Sequence, residues 1–416
     1  MNEFHLDIVK SLDFNRFGGT ADELRAAEII LKYLDEYGSG GKLEQFDIPA
    51  GKVTSATLEA ITLTGSTTID CLAVIRSGNL PLTEAELYYA DAGEEMSLRD
   101  IDGKIVLLNS LNKENYRRLC ESKAVGFIIF SGAFNDNSDN DDIRQTLLRD
   151  AMAEIGSLPG VSIRLQDALT LVRDGVKRVK MQVEQEECRN PSQNVTSFIE
   201  GTQHPEQIIA ITAHYDTGQY GHGAWDNASG VSNLLYLYRH FSANPPTRSL
   251  RFIWCGSEEQ GLLGAKAFVA ANAEEAAKTV FCMNFDMTGN ILGYHHLITT
   301  DGNGLQHVVN AFAREIGFVT KLEERIWPSD GSVFANAGAP TLNVTRNGHA
   351  AVHNRHDKHP ALSEKYLAES SEFALKFLNR LLGSVEFPIE RKIPEKLADE
   401  LEKYVGGTKT KAELNK

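Results

Sequence analysis

No window of the 416-residue chain approaches the ~20 consecutive apolar residues that a membrane-spanning helix needs. The opening "MNEFHLDIVKSLDFNRF" has neither a basic start nor an unbroken apolar run, so no signal peptide is read there. Positive charge is scarce: 42 Lys and Arg stand against 57 Asp and Glu, a formal balance of −15. That argues against a nucleic-acid or anionic-membrane partner. Cysteine is scarce too. Cys71, Cys120, Cys188, Cys255 and Cys282 are scattered and form no CxxC, and Cys255 and Cys282 sit inside apolar runs. Such usage suits buried thiols in a reducing compartment better than a disulfide framework. The expectation is a soluble, cytoplasmic protein.

What the chain does have is 42% hydrophobic residues, enough for a large core and for two domains. Residues 20–38 read as a helix with an apolar stripe, opened by a capping box of Thr20 and Glu23 and closed by Gly38. Residues 50–190 change texture, with short β-like runs, one helical segment from Glu114 to Ala124, and an acidic loop at 135–142 that lacks the Gly and distal Glu of a calcium loop. From about 194 strands and helices alternate. Strands are expected at 207–213, 250–255, 280–285 and 341–345, and helices at 228–241, 261–272, 303–316 and 363–382. This predicts an α/β fold: a mostly parallel central sheet flanked by helices, built from residues 1–49 and 191–383 and interrupted by a β-rich insert at 50–190. Residues 384–416 are expected to add a C-terminal amphipathic helix and a frayed tail.

In open α/β sheets ligands sit beyond the carboxyl ends of the strands. The first strand runs into His214 and Asp216, the second into Glu258 and Glu259, and the third into Asp286. Asp226 stands in "GHGAWDNASG", among residues small enough to let backbone approach closely, and "GHAAVHNRHDKHP" holds His349, His353, His356 and His359. Each residue alone is weak, since a lone Asp before a helix is usually a cap and a Glu pair is usually solvated. Together they offer imidazoles and carboxylates in a mixture that suits zinc. Five ligands with one bridging carboxylate would satisfy two metals about 3.5–4 Å apart. One Glu of the adjacent pair is then spare, placed to act as a general base.

In order, "AHYD", "GAWDNASG", "SEEQGLLG", "NFDMTG", "SDGSVF" and "VHNRHD" resemble the signatures of the M28 family of co-catalytic zinc peptidases. The insert resembles a protease-associated (PA) domain in "DIDGKIVLL" and "LPGVSI", so that the resemblance covers roughly residues 8–383. It implies a metallo-aminopeptidase that removes N-terminal residues from short peptides with two Zn²⁺, for which Co²⁺ or Mn²⁺ can substitute. His214 and Asp286 would be terminal ligands of one metal, Glu259 and His353 of the other, and Asp226 would bridge them. Glu258 falls on the general base, and Asp216 on the carboxylate that orients His214. The family spacing of His, three residues and Asp selects His353 and Asp357, leaving His356 as a neighbour and His349 and His359 as surface residues. A non-proline cis peptide is expected after Asp226. Ser329, Asp330 and Phe334 match a segment near the substrate pocket. Trp225, where many relatives carry a small or acidic residue, is read either as a wall of the site or as a packed aromatic.

No Tyr occurs in residues 328–352, so Arg346 or Asn347 is a candidate for the oxyanion contact that a Tyr makes in several relatives. A dipeptidase or carboxypeptidase is the alternative reading, and would need a cation such as Arg346 or Arg355 near the metals. A one-zinc glutaminyl cyclase-like acyltransferase is disfavoured by the insert, and a binding protein without metals by the complete ligand set. A homodimer through the insert, or through the tail helix near Leu397 and Leu401, is a further expectation.

Overall fold

A computed structural model describes residues 3–38, 40–63, 65–132, 143–302, 304–349 and 352–406. The acidic loop at 135–142 and the frayed tail lie outside these residues. The chain divides into two compact units, Met1–Ile48 with Pro191–Lys416, and Pro49–Asn190.

Among the described residues the central path of the first unit's sheet runs through seven strands: the final residues 195–199 of β1 (Arg178–Ile199), then β2 (His204–His214), β3 (Arg248–Cys255), β4 (Thr279–Phe285), β5 (Gly293–Thr300), β6 (Lys321–Glu324) and β7 (Thr341–Gly348). Their order is β6-β5-β7-β4-β2-β3-β1. The inner four, β7, β4, β2 and β3, are parallel, while β1 and β5 pair antiparallel at the two sides and β6 runs with β5. The sheet is therefore mixed around a parallel centre. Apolar runs such as "LRFIWC" form that centre because they are covered on both faces, and every residue of β3 is buried.

Helices α1 (Phe4–Ser11), α2 (Ala21–Tyr37), α3 (Ser229–Ala243), α4 (Leu263–Ala271), α5 (Gly304–Ile316), α6 (Gly331–Asn336), α7 (Glu364–Leu382) and α8 (Glu395–Val405) belong to this unit. Leu234, Leu235, Tyr238 and Phe241 of α3 pack with Ile30 and Leu34 of α2 and with Phe373 and Phe377 of α7 in one core. A second cluster holds Phe268 of α4, Phe334 of α6, and Leu401 and Tyr404 of α8. The apolar face of the tail helix is thus taken up inside its own unit, with Leu401 0% exposed and Leu397 packed at the edge. Among the described residues no helix is long and apolar enough to cross a membrane.

The second unit is more helical than its texture suggests. Strands Leu80–Tyr89, Lys104–Leu108, Gly126–Ser131 and Gly160–Arg164 lie side by side in parallel, with residues 178–183 and Leu72–Ala73 antiparallel at the two edges. Helix Lys113–Glu121 was expected; helix Leu165–Arg173 was not, and it buries Ala168 and Leu171 against the sheet.

The capping box is half present. Thr20 Oγ1 accepts the Glu23 N–H at 3.3 Å, but the Glu23 carboxylate turns to the Gly19 N–H at 2.7 Å and to the hydroxyls of Ser192 and Ser257. Burial, with the Asp216 charge nearby, raises Glu23 to about 7. His5 of α1 behaves oppositely. It is 1% exposed beside Ser232, and burial together with the Arg239 charge lowers it to about 3. Unfolded, His5 binds a proton below 6.5 and folded it does not, so its contribution to stability is lost as pH falls through that window. A drop from pH 7 to pH 5 is expected to cost about 2 kcal/mol through this group. Glu23 contributes with the opposite sign between 7 and 4.5. The comparison is therefore His5→Phe against wild type in urea midpoints at both pH values, and a variant with the same acid loss as wild type would contradict the assignment.

Candidate metal centre

The acidic and imidazole side chains meet at the carboxyl ends of the parallel strands. His214 is the last residue of β2, Glu258 lies three residues past β3, and Asp286 directly follows β4. His214, Asp226 and Asp286 form one group whose ligand atoms lie within 4.8 Å of one another, and Asp226, Glu259 and His353 form a second. Asp226 is common to both and divides its oxygens: Oδ1 is 3.1 Å from His214 Nε2, and Oδ2 is 3.0 Å from His353 Nε2. His353 Nε2 also lies 2.9 Å from Glu259 Oε1, and His214 Nε2 lies 3.5 Å from Asp286 Oδ1. The neighbouring Glu258, 2% exposed, belongs to neither group.

This centre calls for cations. Burial opposes charge on His214, yet the Glu258 charge and the neighbouring carboxylates of Asp216, Asp226 and Asp286 outweigh it and raise the imidazole well above its ordinary value. Burial likewise opposes charge on His353, which Glu259 and Asp226 nevertheless raise to about 10. For Asp226, burial is overruled by the same two imidazoles, which hold it well below the usual carboxylate range. The buried Asp286 Oδ1 accepts no hydrogen bond among the described residues. Imidazole and carboxylate donors in groups of three, with a buried carboxylate oxygen left over, fit divalent zinc; acid would oppose loading, because the ligands must release protons to bind it.

The loop bearing Asp226 is fixed from several sides. Asp357 accepts the backbone N–H groups of Trp225 at 2.7 Å and Asp226 at 3.0 Å. Asn227 donates to the Phe285 carbonyl and accepts from the N–H of Met287, joining this loop to the end of β4 on either side of Asp286. Gly230 permits the approach, since a Cβ there would stand 2.6 Å from the Phe285 oxygen. The Asp226–Asn227 peptide is cis. Asp216 accepts the N–H groups of Glu258 at 2.9 Å and Glu259 at 3.2 Å, and lies 3.5 Å from His214 Nδ1. It therefore braces the Glu pair's backbone more directly than it orients the imidazole. Ser257, Met287 and His353 all have φ between 52° and 58°. Such left-handed non-glycine residues gather at functional sites.

Several supports carry no signature in the sequence. Arg16, 0% exposed, donates to the carbonyls of Tyr215, Leu12, Phe14, His222 and Gly223, binding both ends of the loop between His214 and Asp226. Asn15 Nδ2 serves the carbonyls of Gly218, Gln219 and Gly221. Asp13 faces the Nδ1 atoms of His222 and His359, so His359 is partnered rather than a plain surface residue. Arg16→Met is expected to lower zinc affinity and activity roughly 10–100-fold, the size of losing an outer partner of a ligand. A chelator competition assay reads this, and Asn15→Ala gives a milder version should Arg16→Met fold poorly. Unchanged affinity in both would show the network to be idle.

The remaining candidates scatter. Trp225 is 4% exposed in the main core, so the packed-aromatic reading describes its place. Phe334 belongs to the core cluster around α4 and α8. The Ser329 hydroxyl accepts from Asn284 Nδ2 at 2.9 Å. Asp330 is fully buried, neither oxygen is hydrogen-bonded among the described residues, and burial followed by the Glu258 charge raises it well above the usual range. Arg346 donates through Nε to the Asn290 carbonyl and stacks on Tyr366, while Asn347 Nδ2 bonds to His296 Nδ1. Trp327, not anticipated, directs its indole N–H at Asp286 Oδ2 at 3.4 Å.

Residues 194–378 match the model of Peptidase family M28. Aminopeptidase YwaD of Bacillus subtilis strain 168 is 28% identical over 349 residues, which make up 79% of this chain and 71% of that one. Leupeptin-inactivating enzyme 1 of Streptomyces exfoliatus is 35% identical over 140 residues, 33% of this chain and 32% of that one. In fold, the chain is similar to BSAP, a zinc aminopeptidase from Bacillus subtilis, with a TM-score of 0.78, 23% identity and 94% and 98% of the two chains covered. The aminopeptidase from Aneurinibacillus sp. strain AM-1 gives a TM-score of 0.74 at 24% identity, covering 93% of this chain and 95% of that one. Residues 194–378 are thus similar to peptidase family M28, and the curated aminopeptidase relative matches over most of the chain.

Proposed function

We propose that the protein is a metal-dependent exopeptidase that removes N-terminal residues from short peptides. His214 and Asp286 would hold one zinc, His353 and Glu259 the other, and Asp226 would serve both. The observation that carries this reading is the Asp226 carboxylate, whose two oxygens address two different imidazoles. The names of the relatives, aminopeptidases in the main, support the class of substrate. When bound, a zinc pair supplies Lewis acidity that polarises the scissile carbonyl and makes water a nucleophile at neutral pH.

The chain's own residues supply the proton chemistry. Glu258 takes the proton of the attacking water and delivers it to the departing amine. Its neighbour Glu259 is paired with His353, which leaves Glu258 as the member of the pair outside both groups. Asp216, by accepting both backbone N–H groups, fixes where the two carboxylates diverge. Asp357 does the same for Asp226. A carboxypeptidase would need a cation for the substrate's carboxylate beside the metals, and Arg346 instead lines a cavity that includes none of the candidate ligands.

The test offers purified protein paired peptides that differ only in a free or acetylated N-terminus, with products followed by mass spectrometry. Release of single N-terminal residues from the free peptides alone is expected. Cleavage at the opposite end, or of acetylated and free peptides alike, would overturn the aminopeptidase reading.

A further inference from the structure

Apart from the metal centre, the first unit holds a cavity of about 490 Å³ lined by residues of β5, β7, α7 and the segment 316–319. His295 and Arg346 lie opposite each other on antiparallel β5 and β7, and each is only 5% exposed. The guanidinium of Arg346 lies 3.6 Å over the Tyr366 ring and donates through Nε to the Asn290 carbonyl at 2.7 Å. Among the described residues its two Nη groups make no hydrogen bond and no carboxylate is in ion-pair contact, the Glu369 charge acting only from farther off. Glu369, on the same wall, is committed to His295 at 2.9 Å and to Lys365 at 3.8 Å.

A nearly buried guanidinium with no carboxylate in contact is costly. Its planar donors, oriented by the stacked ring, suit a carboxylate taken in two-point fashion. The rest of the cavity narrows the ligand. Glu372 lines it together with Lys376, so that with Arg346 the cavity presents both signs of charge, and Glu372 would attract an ammonium group. Phe318 and Val319 offer an apolar wall. Carboxylate, ammonium and apolar body together describe one class of molecule.

We propose that this cavity binds a free α-amino acid with an aliphatic or aromatic side chain, its carboxylate on Arg346 and its ammonium group toward Glu372. Such a molecule is also what the proposed exopeptidase would release. Occupancy is read without turnover, however, so failure of the peptidase reading and failure of this one are distinguishable.

The experiment titrates the full-length zinc-loaded protein calorimetrically with L-leucine, isoamylamine, which lacks the carboxylate, and inorganic phosphate. Wild type, Arg346→Gln and Val319→Glu are compared. Val319 is 87% exposed, so its replacement sets a negative charge at the mouth without disturbing the core and covers the case of a poorly folded Arg346→Gln. L-Leucine is expected to bind wild type, isoamylamine not to bind, and the Kd for leucine to rise at least tenfold in each folded variant. Leucine binding that is absent, or equal in wild type and variants, would place no amino acid in this cavity. Phosphate binding as tight as leucine and lost in the variants would make it a simple anion site and overturn the proposal.

Discussion

Glu258→Ala is expected to lower turnover by about 10²–10⁴-fold while zinc content stays at the wild-type level. The separation of the two effects is the point. Glu258 belongs to neither ligand group, so its removal leaves His214, Asp286, Glu259, His353 and Asp226 in place. Its backbone N–H remains available to Asp216 Oδ1 at 2.9 Å, so the position of Glu259 is also kept. The replacement also takes away a charge that raises both His214 and Asp330. Glu258→Gln keeps the shape and loses only the basicity; it should be as inactive as the alanine variant. Steady-state kinetics on a free N-terminal peptide, with metal analysis of the same sample, reads both quantities. Wild-type turnover in either variant would remove Glu258 from the proton-transfer role.

Asp226→Asn should act on the opposite quantity. One oxygen of Asp226 faces His214 at 3.1 Å and the other faces His353 at 3.0 Å, and an amide can offer an oxygen to only one side. The variant is expected to hold at most one zinc firmly. Its activity should fall by more than the roughly 10–100-fold that marks loss of an outer partner. Asp357→Asn is the control: it weakens the two backbone hydrogen bonds that fix the Asp226 loop but removes no ligand. If Asp226→Asn retained two zinc ions and Asp357→Asn lost them, the bridging role would belong elsewhere.

His214, Glu258, Glu259 and Asp286 stood out in the sequence because three parallel strands run into them, whereas His353 and the role of Asp226 came from the family resemblance alone. The parallel centre was legible for the same reason that it is stable: strands buried on both faces must be continuous apolar runs. Strand β5, "GYHHLITT", was not legible. His295 and His296 look like loop residues until Glu369, Glu323 and Asn347 are seen to partner them across space. The Arg16 network was hidden more deeply. Its five acceptors are backbone carbonyls, two of them more than 200 residues away in the chain, and a carbonyl has no residue type to read. Glu23 shows how a local motif can mislead, since a side chain placed for a capping box is drawn to Ser192 and Ser257 by tertiary contacts. Arg346 was read as a candidate for the oxyanion contact because residues 328–352 hold no Tyr. The stack on Tyr366 places its guanidinium in a different cavity.

The most direct measurement returns zinc in small steps to chelated protein and follows bound metal and peptide hydrolysis on the same samples. The two ligand groups sharing Asp226 predict that activity rises with loading and levels off at two zinc ions per chain. Full activity at one ion, or activity that survives chelation, would contradict a centre built around a shared carboxylate.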